Sequence, residues 1–325
     1  MDLLLLGGTG FLSRTVAEEA VSRGHRVTAL TRGVSGAPPN GVTAVHADRN
    51  AADEMARAVR SVKVAAVIDM SGETVAAARI AARELASADS YVYVSSMNAY
   101  RNWPPGPVRG EDDPLWDEES DAYGPVKAAG ERILSRAFGD RLLSARAGVI
   151  VGPREIGGRL TAWLHRISAG GRIAVPDALD QPMAFVDVRD LASWLVDAAE
   201  RGMSGPVTAT GPYGMTTYGG LLRACRETVS ATGGPASELV PITEKTLLEA
   251  GVQPWRHLPF WLPEEVARTA WQIETATARR LGLPSRPIEA TVAGTWEWMR
   301  RAGTAAYQAG QAHGLPPELE RSLLS

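Results

Sequence analysis

The sequence predicts an α/β fold built on a doubly wound parallel sheet, with a smaller and partly C-terminal substrate-binding lobe. Three observations carry this expectation. Short, continuously apolar runs alternate with amphipathic helical stretches through the first half of the chain. Uninterrupted apolar runs suit strands covered on both faces, as parallel sheets with helical crossovers require. A glycine-rich turn, "GGTGFLS" (7–13), stands between the first run and the first helical stretch. In open α/β sheets that is where a phosphate meets the backbone.

Residues 3–6 form the first strand, and "RTVAEEAVSRG" (14–24) forms a helix closed by Gly24. A second strand, "RVTALT" (26–31), completes a βαβ unit. The alternation continues with "VTAVHA" (42–47), a helix over 51–60, "VAAVIDM" (64–70), an Ala-rich helix over 74–88 and "YVYVSS" (91–96). A helix begins near Ala122 and runs to 138. Beyond Pro153 the pattern loosens into a helix over 158–169, a Gly-Gly turn, "RIAVP", "MAFVDV" and a buried strand "PVTATGP" (206–212). The expected division is a Rossmann-type dinucleotide-binding domain over 1–152 with 184–212, and a lobe over 153–183 with 213–325.

The 325 residues are enough for a substantial core. A net charge of -3 leaves no electrostatic footprint for nucleic acid or an anionic membrane. No run reaches the roughly 20 apolar residues of a membrane span, and "MDLLLL" lacks the basic flank of a signal peptide. The acidic "EDDPLWDEESD" (111–121) reads as a solvated loop. The single cysteine, Cys225 in "LLRACRE", reads as a packed thiol in a reducing, cytoplasmic setting. His165 and His257 are isolated and His313 lies near the C-terminus, so no metal site is expected.

Gly7 and Gly8 permit the tight turn, and Gly10 lets a pyrophosphate approach the backbone at a positive helix end. Ser13 replaces the third glycine with another small residue. At the end of the second strand an acidic residue would bind a ribose 2'-hydroxyl, but here Thr31 and Arg32 occupy the place. A guanidinium binds a 2'-phosphate through parallel hydrogen bonds, which favours NADP(H) over NAD(H). The plainer alternative is that Arg32 faces solvent from the loop "GVSGAPPNG".

"AYGPVKAAGE" (122–131) puts Tyr123 and Lys127 on one helix face, beside the strand end that carries Ser95 and Ser96. A free phenol, with a pKa of about 10, is a poor acid or base at neutral pH. A neighbouring ammonium favours the phenolate, so Lys127 is expected to draw the Tyr123 pKa down. Pro125 falls in the first helical turn, where its missing N–H costs little.

Together these segments resemble the extended short-chain dehydrogenase/reductases often labelled NAD-dependent epimerase/dehydratase. "GGTGFLS" resembles their cofactor turn, "HADRN" their adenine-side segment, "VSSMNAY" their serine segment and "YGPVK" their Tyr-Lys pair. "RAGVIVGP" (146–153), with Ala147 where proline is usual, and "FVDVRDLA" (185–192) match later motifs, so the resemblance covers about two thirds of the chain. It implies Ser96, Tyr123 and Lys127 as catalytic residues, with Ser96 chosen over Ser95 for its spacing to Tyr100. It implies cofactor contacts from Gly7, Thr9, Gly10, Phe11, Leu12, Arg32, Asp48, Arg49, Met70, Ser71 and Lys127, and places Tyr100 on the pocket wall. Lys127 is expected to hold the ribose hydroxyls and Ser96 to orient the substrate oxygen. Family habit implies a homodimer through the helices at 74–88 and 122–138.

Two departures bear on the reaction. Dehydratases of sugar nucleotides carry an Asp-Glu pair where this chain has Met97 and Asn98, and nucleotide-sugar epimerases tend to carry a diphosphate-binding arginine where Met183 stands. Several of the nine tryptophans fall in the second half, in "QPWRHLPFWLPEE" and "GTWEWM", either as an aromatic wall or as ordinary packing. The expected activity is NADPH-dependent reduction of a carbonyl, or of a C=N bond, in a small organic molecule. An NAD-dependent sugar-nucleotide epimerase and a non-catalytic nucleotide-sensing or RNA-binding protein on the same fold are the alternatives.

Overall fold

The computed structural model describes residues 1–34, 36–118, 120–155, 158–303 and 313–325. Its centre is a seven-stranded parallel sheet. The first six strands are β1 (Asp2–Leu6), β2 (Arg26–Thr31), β3 (Val42–His46), β4 (Ala66–Asp69), β5 (Ser90–Ser96) and β6 (Leu142–Ala147). Four helices link them: α1 (Phe11–Ser22), α2 (Ala52–Arg60), α3 (Val75–Glu84) and α4 (Tyr123–Phe138). Every apolar run of the first half thus becomes a strand. The Ala-rich helix ends at Glu84 rather than 88, as Leu85 and Ala88 turn the chain into β5.

The leucine run shows why the sheet is covered twice. Successive side chains of a strand point to opposite faces. Leu3 and Leu5 accordingly join Val16, Ala20 and Trp194 on one face, while Leu4 and Leu6 join Met55, Tyr91 and Phe138 on the other. All four leucines are buried, at about 1.5–3 kcal/mol for each such side chain.

After β6 the chain forms β7 (Ile150–Val151), α5 (Arg159–Ala169), β8 (Gly171–Pro176), β9 (Pro182–Met183), β10 (Val186–Asp187) and α6 (Val188–Arg201). It then returns to the sheet as β11 (Gly205–Ala209). The sheet order is β11-β6-β5-β4-β1-β2-β3. The winding reverses between β1 and β4, which opens a crevice at the carboxyl ends of these strands.

A second core lies beside this crevice. It contains β12 (Thr216–Thr217), α7 (Tyr218–Ala231), β13 (Ser237–Ile242), α8 (Glu244–Glu249), α9 (Glu264–Ala270), α10 (Ala276–Arg280) and α11 (Ile288–Ala302). β13 pairs in parallel with β8, and β12 antiparallel with β9. Trp163, Tyr218, Phe260, Trp261 and Trp271 fill the interior, with Cys225 buried among them and its thiol pushed up by burial. Of the stretch after Gly303, residues 304–312 lie outside the described residues, and Pro317–Leu324 is a helix. Among the described residues no helix is long and apolar enough to cross a membrane.

Candidate active site

The glycine turn has the tight geometry expected of it. Gly7 (φ +104°) and Gly8 (φ +155°) adopt backbone conformations that L side chains rarely reach, and a Cβ on Gly8 would stand 2.7 Å from that of Ala29. The helix starts at Phe11, three residues earlier than expected, so its free N–H groups face the crevice directly. The hydroxyl of Ser13 accepts from the Gly10 N–H at 3.1 Å, which explains how a serine serves at the third glycine position. No acidic residue occupies the first turn of α1. Its positive end is therefore left for a phosphate.

A cleft of about 400 Å³ opens over this turn, lined by Gly7, Thr9, Gly10, Phe11, Leu12, Arg32, Asp48, Arg49, Met70 and Ser71. The lining fits a dinucleotide: small glycines and the start of α1, with no acidic residue in its first turn, lie at one end, and Arg32 and Asp48 at the other. At the far end, the Asp48 carboxyl is held below its ordinary value by the Asn50 backbone N–H, with the Asn50 side chain and the Arg32 charge acting the same way. His46 adjoins Gly33 on the neighbouring strand, outside the lining of the cleft.

Arg49, expected as a cofactor contact, lines the cleft with most of its guanidinium already engaged. Its guanidinium is buried and grips the Asp69 carboxylate at 2.5 and 2.8 Å and the Ser71 hydroxyl at 2.8 Å. Tyr91 donates a further hydrogen bond to Asp69 at 2.8 Å. Burial raises the Asp69 pKa, but the Arg49 charge and hydrogen bonds outweigh it and hold the carboxyl below its ordinary value. The arginine braces the floor of the cleft and remains part of its lining.

Ser96 ends β5 and accepts from the N–H and side-chain amide of Asn98, at 3.2 and 3.3 Å, which caps the short turn Met97–Ala99. Helix α4 begins at Tyr123, with Pro125 in its first turn. Ser96, Asn98 and Tyr123 together border a second cavity, of about 570 Å³. Tyr123 keeps 55% of its surface open there. The packing around its phenol nevertheless raises the pKa, and a hydrogen bond with Ser96 offsets that only in part.

Lys127 lies behind Tyr123 rather than on either cavity wall, with 4% of its surface exposed. Its ammonium donates to the Val94 carbonyl at 3.0 Å and sits 5.6 Å from the Tyr123 ring centre. Burial brings its own pKa down to about 8. The expected downward pull on the phenol is therefore not what this geometry gives, since burial dominates at both groups.

Ser95 turns the other way and donates to the buried Glu131, which Arg146 grips at 2.9 to 3.2 Å. Tyr100, expected on the pocket wall, belongs to this inner network: it is 2% exposed, bonded to Thr208 at 2.7 Å and to Arg146 at 3.1 Å. The walls come instead from Trp103, Pro104, Trp255, Leu262, Ala270 and Trp271, with Arg159 as the charged member. Trp255 and Trp271 stack with centroids 6.1 Å apart. Trp255 was a candidate from sequence; Trp103 and Trp271 were not, and only the fold brings them here. Met183 is fully buried, and among the described residues no carboxylate lines the cavity.

This architecture has known counterparts. A putative epimerase from Burkholderia cenocepacia J2315 superposes with a TM-score of 0.69 at 17% identity, over 92% of this chain and 98% of that one. The UDP-glucose 4-epimerase of Thermus thermophilus, in complex with NAD, gives 0.66 at 19% identity, over 93% and 100%. At the level of sequence, the chloroplast stem-loop binding protein of 41 kDa b from Arabidopsis thaliana is 23% identical over 295 residues, covering 81% of this chain and 75% of the relative. Residues 3–208 match the family model described as NAD dependent epimerase/dehydratase. That span takes in the glycine cradle, the Ser96 turn and the Tyr123–Lys127 helix, and the chain belongs to the NAD dependent epimerase/dehydratase family, within the extended short-chain dehydrogenase/reductases.

Proposed function

We propose that the protein is an NADPH-dependent reductase acting on a carbonyl group, or its C=N counterpart, of a small apolar or ring-bearing molecule. The observation that carries this reading is the meeting of the two cavities: Phe11 lines both the dinucleotide cleft and the tryptophan-walled chamber into which Ser96 and Tyr123 face. A nicotinamide dinucleotide, when bound, supplies the hydride.

The chain's own residues do the rest. The N–H groups at the start of α1 and the Gly7–Gly10 turn hold the pyrophosphate. The Ser96 hydroxyl, already within hydrogen-bonding influence of Tyr123, orients the substrate oxygen. Tyr123 gives its proton to that oxygen as negative charge develops, and a phenol held above its ordinary pKa is kept loaded with that proton at neutral pH. The Lys127 ammonium stays buried close behind the ring, 5.6 Å from its centre. Trp103, Trp255 and Trp271 exclude water and receive apolar rings, while Arg159 offers one cation for a polar substituent.

Arg32, with no acidic residue at the end of β2, supports a 2'-phosphate and hence NADPH. The epimerases among the structural counterparts favour the rival reading, retained NAD and a sugar nucleotide. The apolar chamber and the buried Met183 weigh against a diphosphate there.

Titration of nicotinamide fluorescence with NADPH and NADH on cofactor-stripped protein, alongside Arg32→Ala, tests the cofactor. A preference for NADPH that the substitution abolishes is expected, followed by carbonyl-dependent NADPH oxidation that Tyr123→Phe removes. Tight NAD binding indifferent to Arg32, with no net turnover, would transfer the reading to the epimerase.

A further inference from the structure

A third cavity, of about 610 Å³, lies between α5, β8, the turn at 256–257 and the C-terminal segment from His313 to Glu320. It shares no lining residue with the dinucleotide cleft or the substrate chamber. Three histidines that are scattered in the sequence, His165, His257 and His313, meet in it, together with Arg166, Arg172 and Arg256. The permanent charges of its lining are those three guanidiniums against the single carboxylate of Glu320. In a chain of net charge -3, this is a local reversal of sign.

Arg166 gives the cavity its chemistry. Its side chain is only 9% exposed and its guanidinium lies 4.5 Å from the Trp163 ring centre. One terminal nitrogen donates to the Ala174 carbonyl at 2.8 Å and to Glu320 at 2.5 Å, whereas Nε and Nη1 have no hydrogen-bond partner. Those two nitrogens are shut off from the cavity by packing, so Arg166 acts there through its charge, and the guanidiniums open to a ligand are those of Arg172 and Arg256. Arg172 and Arg256 make only peripheral bonds, to the Leu324 carbonyl at 2.8 Å and the Gln253 side chain at 3.4 Å. Burial holds His165 below its ordinary pKa, and burial with the Arg256 charge does the same to His257. The arginines therefore dominate the field at neutral pH.

We infer that this cavity is an anion site, separate from the dinucleotide cleft, for a small molecule bearing a phosphate or diphosphate group. Guanidinium forks converging on one concavity match the oxygens of such a group. Convergence, rather than a stripe of charge along a face, fits a compact ligand better than a nucleic-acid backbone. The site is linked to the substrate chamber through shared elements of the fold. Helix α5 carries Arg159 in that chamber and Arg166 here, while Trp255 lines the chamber and the next two residues line this cavity. The Gly314 N–H, donating to the Arg256 carbonyl at 2.8 Å, ties the C-terminal segment to the same turn.

The test is calorimetric titration of pyrophosphate into the full chain saturated with nicotinamide dinucleotide, so that the glycine cradle is filled. Arg172→Gln and Arg256→Gln alter the outer members and leave the packed Arg166 in place. Each is expected to weaken pyrophosphate binding about tenfold, the loss of one charge-assisted contact, with dinucleotide affinity unchanged. Undiminished affinity in both variants, no pyrophosphate binding, or binding that the dinucleotide displaces would overturn the assignment. Binding of a stem-loop RNA, weakened by Arg256→Gln while pyrophosphate fails to bind, would overturn it in favour of a polymer surface.

Discussion

The ammonium of Lys127 lies 5.6 Å from the centre of the Tyr123 ring, yet its hydrogen bond goes away from the phenol, to the carbonyl of Val94. One helical turn therefore sets a proton donor in front of a buried cation. Both are perturbed by the same packing and in opposite directions, the phenol upward and the ammonium down to about 8.

Burying that cation destabilises the fold, and pH exposes the cost. Because the folded-state pKa of Lys127 is below its ordinary 10.5, the unfolded chain binds more protons between about pH 8 and 10.5. Stability from this group accordingly rises with pH through that window and is lowest below it. Lys127→Met removes the titration. In urea unfolding, the variant is expected to be the more stable at pH 7, with an advantage on the order of 3 kcal/mol that shrinks towards pH 10. Turnover is expected to fall by about 100-fold or more. A pH-independent stability difference would contradict the assignment.

The adjacent serines separate function from stability. Ser96→Ala is expected to lower turnover by about 10–100-fold while the melting temperature holds, since it loses only the Asn98 cap and the Tyr123 contact. Ser95→Ala strands one hydrogen bond of the buried Glu131 and is expected to cost about 1–2 kcal/mol of stability. Parallel kinetics and thermal melts of the two variants check this.

Gly124 presses helix α4 onto the serine turn. A Cβ there would stand 2.2 Å from the Asn98 carbonyl and 2.8 Å from Trp116 Nε1. Gly124→Ala is expected to push Tyr123 away from Ser96 and reduce turnover by about 100-fold, as a misplacement near 1 Å does. Dinucleotide affinity, read by fluorescence titration, is expected to stay within about twofold, because the glycine cradle is not involved.

The Arg146–Glu131 pair has 5% and 7% of its side chains exposed. Glu131→Ala is expected to destabilise by about 3–5 kcal/mol by leaving the guanidinium uncompensated. Glu131→Leu combined with Arg146→Met is expected to recover most of that in equilibrium unfolding, because neither charge of the pair is left uncompensated.

Much of this was legible from residue order. Leu3 to Leu6 announced a strand covered on both faces, the Gly7–Gly10 turn announced a tight link into α1 beneath a cleft, and the spacing of Tyr123 and Lys127 placed them on one helix. What escaped was decided by contacts between distant segments. Tyr100 turned inward because Arg146 and Thr208, far along the chain, offered partners for its hydroxyl. Trp103 and Trp271 carry no local pattern, and they became neighbours of the site only when the second lobe closed over the sheet edge.

Phe11 is, among the described residues, the side chain common to the linings of the two cavities. Such a partition constrains steady-state behaviour. A dinucleotide entering first completes one wall of the chamber for the second reactant, whereas a substrate entering first meets a chamber still open towards the glycine cradle. On the proposed reductase reading, product-inhibition kinetics are therefore expected to show ordered binding, with oxidised dinucleotide leaving last and competing against its reduced form.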